Sequence, residues 1–251
     1  MSGGLAALIL AAVLATATLS GVFGMAGGLI LMGVLTALLP VPAALAIHGL
    51  VQMASNASRI VLHLKHIVWK VVGFYAIGAV ATMAAFTVVS YIPSKAVVYL
   101  ALGLLPILIW VPERYSPLDA ARPSHAVLAG VLSTAVALTS GISGPLADLF
   151  LVRSALTRHQ VLSTKAALQM FSHLSKVLFY GGAILLAGGD GFAPPWLLAA
   201  ACALAVLGVT LGARVLDRLT DQGFRAWRRW IFTGVAAIYL VQAAILFARG
   251  Q

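Results

Sequence analysis

Gln52-Met53-Ala54-Ser55-Asn56-Ala57-Ser58-Arg59 has a second copy, Gln169-Met170-Phe171-Ser172-His173-Leu174-Ser175-Lys176, 117 residues further along the chain. A shorter pair precedes them: Ser20-Gly21-Val22-Phe23-Gly24-Met25 matches Ser140-Gly141-Ile142-Ser143-Gly144-Pro145 at an offset of 120. Two blocks repeated in the same order mark an internal duplication, and three residues have been lost between them in the second copy. An internal duplication decides the fold before any single element is assigned.

The solvent of that fold follows from composition. The 251 residues are 62% hydrophobic and 9% charged, against roughly 25% charged in soluble domains, and the mean hydropathy is +1.05. Apolar runs recur from Leu5 to Ala248 with short polar breaks, which excludes both a water-soluble fold and a soluble domain on one anchor. The single cysteine, Cys202, excludes an internal disulfide and a cysteine-rich metal site. No cofactor and no metal is expected.

Apolar segments run over 5–22, 25–39, 43–64, 67–91 and 94–111, and after a polar linker over 124–140, 145–156, 161–187, 195–216 and 224–248. This divides the chain into a first repeat (1–111), a cytoplasmic linker (112–123) and a second repeat (124–251). The second segment of each half falls short of the ~20 residues a spanning helix needs, so each half is expected to open with a broken or re-entrant Gly-rich hairpin. The first apolar run has a counterpart mid-chain and lacks a basic leader, so it is read as part of the fold and not as a cleaved signal.

Sixteen Lys and Arg against six Asp and Glu give a net charge of +10. In a membrane protein this excess reads as topology, because short basic loops stay on the cytoplasmic side, and as attraction to anionic lipid, so no nucleic-acid partner is expected. Arg59, Lys65 and Lys70, then Arg114 and Arg122, then Arg153, Arg158 and Lys165, then Arg214, Arg218, Arg225, Arg228 and Arg229 mark four inner loops. One orientation satisfies all four. It places both termini outside and corresponding loops on opposite sides, which makes the fold class an all-α polytopic membrane protein of two inverted-topology repeats, as in many secondary transporters.

Gln52, Ser55, Asn56 and Arg59 are spaced i, i+3, i+4, i+7, one stripe of an α-helix; Gln169, Ser172, His173 and Lys176 form its partner. Charged groups at mid-membrane cost about 2.5 to 3.5 kcal/mol each, so such stripes are expected to line a polar pathway with one cation toward each end. The structural alternative is interhelical hydrogen bonding, with Arg59 snorkelling from a helix end. His48, one turn before Gln52, extends the stripe or sits at the interface.

The breaks themselves, 21–28 and 140–148, offer a second anion-binding feature. A helix that starts after each break presents free N–H groups and the positive end of its dipole, and Gly24, Gly27, Gly28 and Gly144 let a ligand approach the backbone. Ser143 is placed as an N-cap and Pro145 in the first turn. Glycine that only permits close helix packing is the competing reading. Asp148 is expected to neutralise Lys176 or His173, to bind a coupling proton, or to form a structural ion pair; His173 is the other proton candidate.

Gly141-Ile142-Ser143-Gly144 with a later His173 also admits a rhomboid-like intramembrane serine protease, and a channel-like membrane protein is the third class. Neither needs a duplicated polar stripe. The run Ser20 to Gly28, the Gly141 to Gly144 break and the duplicated layout over almost the whole chain resemble the TauE/SafE sulfite-exporter family, also called the toluene-sulfonate uptake permease family. That resemblance implies a non-enzymatic transporter in the bacterial inner membrane that moves sulfite, sulfoacetate or other sulfonates, usually outward. Here the family's glycine run gives way in the second half to Pro145-Leu146-Ala147-Asp148.

Overall fold

The computed structural model describes residues 2–23, 26–110, 117–151, 154–186, 193–216 and 221–250, and among them every regular element is a helix. The first half supplies α1 (Gly3–Phe23), α2 (Ala26–Leu38), α3 (Val41–His63), α4 (Trp69–Val89) and α5 (Lys95–Leu104), the last extended by a 3₁₀ stretch, Leu105–Trp110. The second supplies α6 (Pro123–Ser140), α7 (Gly144–Leu151), α8 (Arg158–Lys176), α9 (Gly182–Leu186), α10 (Pro195–Leu216) and α11 (Asp221–Ala248). A π-helical turn, Val177–Gly181, joins α8 to α9. Gly24 and the loop cations Arg114, Arg153 and Arg218 lie outside the described residues, as do the side chains of Arg158, Arg225, Arg228 and Arg229.

Five of these helices are long and apolar enough to cross a bilayer: α1, α4, α6, α10 and α11 over Trp230–Ala248. α2 and α7, at 13 and 8 residues, reach only about 20 and 12 Å at 1.5 Å per residue, too little for a ~30 Å hydrocarbon core. α3 and α8 are long enough but carry the polar stripes. Burial is correspondingly inverted: Leu186, Val88, Ile77 and Ile238 are exposed, whereas Thr36, His48, Ser163, Ser172 and Lys176 are buried. Lipid solvates the apolar exterior, so polar groups are driven to partners inside the bundle.

The halves interlock. α1 packs along α10 and α6 along α4, α3 lies against both α8 and α10, α8 also meets α4, and α5 meets α11. Exchanging the halves element for element carries each packing onto another or onto itself. Both long crossings run through glycine: a Cβ at Gly21, Gly208 or Gly212 would strike the facing backbone or side chain of α1 and α10, and one at Gly78 or Gly130 would strike the carbonyls of Val127 or Tyr75. Without lipid-excluding hydrophobic force, such backbone proximity supplies the dispersion contact that holds spanning helices together.

α3 and α8 run antiparallel, because His48 near the start of α3 bonds Lys176 at the end of α8 and Gly49 faces Val177. At the far end of the pair, Thr164 on α8 accepts from the Val68 amide that precedes α4. The two helices that carry the polar stripes therefore share one interface, beside both helix breaks.

Candidate functional site

The first break lies between α1 and α2. Gly27 sits where any Cβ would run into the Thr16 carbonyl and Ser20, so it closes α2 onto α1 and serves packing. Gly28, one residue on, faces Gln52 instead, and its carbonyl accepts a hydrogen bond from His48 Nε2 at 3.0 Å. That acceptor places the ring proton on Nε2 and leaves Nδ1 to accept.

The second break is built differently. α6 ends on Gly141 in the left-handed region at φ 84°, a conformation that favours glycine. This turn aims the Gly141 carbonyl at Lys176, which donates to it at 2.6 Å and to His48 Nδ1 at 2.7 Å. Lys176 is fully buried. Arg59 makes the matching contact in the first half, donating to the Ser20 carbonyl at 3.2 Å and to Asn56 Oδ1 at 3.4 Å. Each stripe thus ends in a cation that satisfies a carbonyl at the C-terminus of the opening helix of its own half, where the dipole is negative.

Between the breaks lies a cavity of about 20 Å³, room for one or two water molecules. Gly28, Gln52, Ser143, Gly144, Gln169 and His173 give it polar and backbone surface; Leu29, Ile142, Pro145 and Phe232 close it. The Ser143 hydroxyl and both His173 ring nitrogens are buried with no hydrogen-bond partner. Buried polar groups are rarely left unpaired, since each costs about 1 to 3 kcal/mol, so these three atoms make the cavity the candidate ligand site.

Several expected contacts fall elsewhere. Ser143 precedes α7, but its unbonded hydroxyl does not cap the helix; it lines the cavity. The same lack of a partner means that the Ser143–His173 hydrogen bond needed for a protease nucleophile is not formed. Ser172 turns away to Tyr75 on α4, with 2.6 Å between their oxygens, so it pins α8 to α4. Ser55 and Asn56 are buried beside Arg59, away from the cavity wall. Asp148 pairs neither with Lys176 nor with His173: Lys165 takes its carboxylate at 2.5 Å.

His48 is the residue that stripe spacing underweighted. Its place one turn before Gln52 was the available signal, but its two partners, Gly28 and Lys176, come from distant segments. Phe232 on α11 had no signal at all, because its approach to the cavity is set only by the packing of α11 against α2 and α5.

Spanning helices, two short helices starting at central breaks, and an internal polar cavity near the buried Lys176 mark a polytopic membrane protein built like a transporter. The profile of Sulfite exporter TauE/SafE matches residues 8–242, and the chain belongs to that family of multi-pass membrane transporters. Neither the curated proteins nor the solved structures contain a significant match to the chain.

Proposed function

We propose that this chain is a secondary transporter for small organosulfur anions, sulfite, sulfoacetate or other sulfonates, moving them outward across the bacterial inner membrane. The observation that carries the reading is the cavity between the two helix breaks. Its unpartnered Ser143 hydroxyl and His173 imidazole, the Gln52 and Gln169 amides and the backbone at Gly28 and Gly144 converge there, and among the described residues no carboxylate lines the wall. A sulfonate head presents three acceptor oxygens carrying delocalised charge, which suits several neutral donors better than one ion pair.

The small volume belongs to an occluded arrangement, and an anion enters when the halves part on one side. Alternating access follows from two inverted repeats of similar energy around one site; the antiparallel α3–α8 pair and the exchange of α1–α10 for α6–α4 support that reading. Arg59 at one break and Lys176 at the other supply long-range attraction. The anion moves outward when its concentration is higher inside the cell.

Flux of radiolabelled sulfite, sulfoacetate and methanesulfonate into proteoliposomes, with sulfate and acetate as controls, tests the proposal. Saturable exchange of one or more sulfur anions is expected. Equal or faster exchange of acetate with none of the sulfur anions would sink the substrate class.

A further inference from the structure

We propose that Lys176 and His48 together hold the exchangeable proton of the transport cycle, one proton bound with each anion; the proposal rests on the anion-transport reading above. Their geometry is a chain of hydrogen bonds that ties the two breaks together. His48 Nε2 donates to the Gly28 carbonyl at the first break, Lys176 donates to His48 Nδ1, and Lys176 donates again to the Gly141 carbonyl at the second.

All the acceptors in this chain are neutral. The two carboxylates whose side chains are described, Asp119 and Asp148, pair with Arg122 and Lys165, so among the described residues no acid faces Lys176. A buried ammonium without a counter-charge is costly, whereas a neutral amine keeps two N–H donors and loses neither hydrogen bond. The pair can therefore change charge without breaking. An anion in the adjacent cavity supplies the missing negative charge, so its arrival favours the protonated pair and its departure the neutral one.

The other titratable groups around the pair lie on α8, the π-turn and α10, and α2 carries none. His173 on α8 packs edge-on against His48 with ring centroids 5.8 Å apart, its two nitrogens free of protein partners beside the cavity. On the π-turn, the Tyr180 hydroxyl is spent on the Leu138 carbonyl; on α10, the Cys202 thiol faces the Leu50 carbonyl. His173 is thus the titratable group on the cavity wall next to His48. In the forward step a proton from hydronium in the cavity bonds to the Lys176 amine lone pair, leaving water, and is shared with His48 Nδ1 across their hydrogen bond. In the reverse step that N–H bond breaks and the proton returns to water as the anion leaves. Binding linkage is reciprocal, so a proton gradient moves anion and an anion gradient moves protons.

The test uses proteoliposomes and whichever of radiolabelled sulfite, sulfoacetate or methanesulfonate exchanges fastest. Exchange at equal pH is compared with accumulation after outside acidification, with protein-free liposomes subtracting the anion's own titration. Wild type is expected to exchange and to accumulate. His48→Gln preserves a donor for Gly28 and an acceptor for Lys176 but cannot take a proton, so its accumulation relative to its own exchange should fall at least tenfold. Lys176→Arg, which stays charged, should lose accumulation likewise and serves if His48→Gln does not fold. Wild-type exchange with no response to acid, or a pH response equal to wild type in a folded variant, would overturn the proton site while leaving the transport reading intact. Wild type that exchanges none of the three anions overturns the transport reading and the proton site with it.

Discussion

The Lys165 ammonium meets the Asp148 carboxylate at 2.5 Å between α8 and α7, with the two side chains 15% and 33% exposed. This pair anchors the shortest helix beside the cavity. Asp148→Asn leaves Lys165 without its carboxylate partner, and between the values for exposed and buried pairs the expected loss is about 1 to 3 kcal/mol. Thermal unfolding in nanodiscs measures it. The double variant with Lys165→Gln should recover most of the loss, and a failure to recover would show that the pair is not the anchor. Protein yield and transport falling together would also assign Asp148 a structural role and remove it as a proton carrier.

Neighbouring glycines should answer the same substitution differently. At Gly27 a methyl group collides with the Thr16 backbone, which cannot yield without moving α1, whereas at Gly28 it meets the end of the flexible Gln52 side chain. Gly27→Ala is expected to destabilise the protein by several degrees. Gly28→Ala should fold near normally and raise the half-saturating anion concentration, because Gln52 is turned out of the cavity. Equal melting temperatures for the two variants would contradict this.

Neutralising the cations tests the attraction they exert. Arg59→Gln and Lys176→Gln should each lower anion exchange about tenfold or more, with Lys176→Gln the more severe because it strands both His48 Nδ1 and the Gly141 carbonyl. Unchanged flux in both would exclude them from the anion path.

A second histidine cluster lies where α3 runs into the 3₁₀ turn Leu64–His66. Rings of His63, His66 and His159 stand 5.4 to 6.4 Å apart. Desolvation, and then the neighbouring His159, Lys65 and His63, hold the His66 imidazole below its ordinary value. A histidine depressed in the folded state stabilises the fold fully above the unfolded value and loses that stabilisation as pH falls toward the folded one. The melting temperature should therefore drop on acidification below about pH 6.5, and His66→Gln should flatten that drop. A wild-type profile no steeper than the variant's would refute the assignment.

Orientation is open to labelling. Cys202→Ser provides a cysteine-free background, in which cysteine at Ser90 or Gly250 should react with an impermeant reagent in intact cells. Cysteine at Lys65 or Thr157 should react only after permeabilisation. Labelling of Gly250 from the cytoplasm alone would dismantle the inverted arrangement and the outside termini.

Hydropathy and the duplicated blocks were enough, by themselves, to place the helices. Proline and glycine interruptions put both bounds of α2 and the start of α7 close to those observed, because a helix end is a local event governed by backbone conformation and capping, while α7 ends at Leu151, five residues before the expected 156. The two stripes were legible for the same reason: helical periodicity fixes which side chains share a face. Lipid then forces polar faces inward whatever the packing partner.

What local pattern could not assign was the partner of each polar group. Asn56 takes Arg59 from its own helix, but Ser172 goes to Tyr75, Asp148 to Lys165, and Lys176 to His48 and Gly141, all across helix interfaces. Such pairings depend on crossing angle and on relative rotation of helices, which carry no signature in the spacing of one segment. Thus the sequence determined a duplicated helical membrane protein with two breaks and two polar stripes. Only the tertiary structure decided that Ser172 leaves the cavity, that His48 and Lys176 clasp the breaks, and that Ser143 and His173 remain unpaired within it, because an unsatisfied buried group is defined by every neighbour that surrounds it.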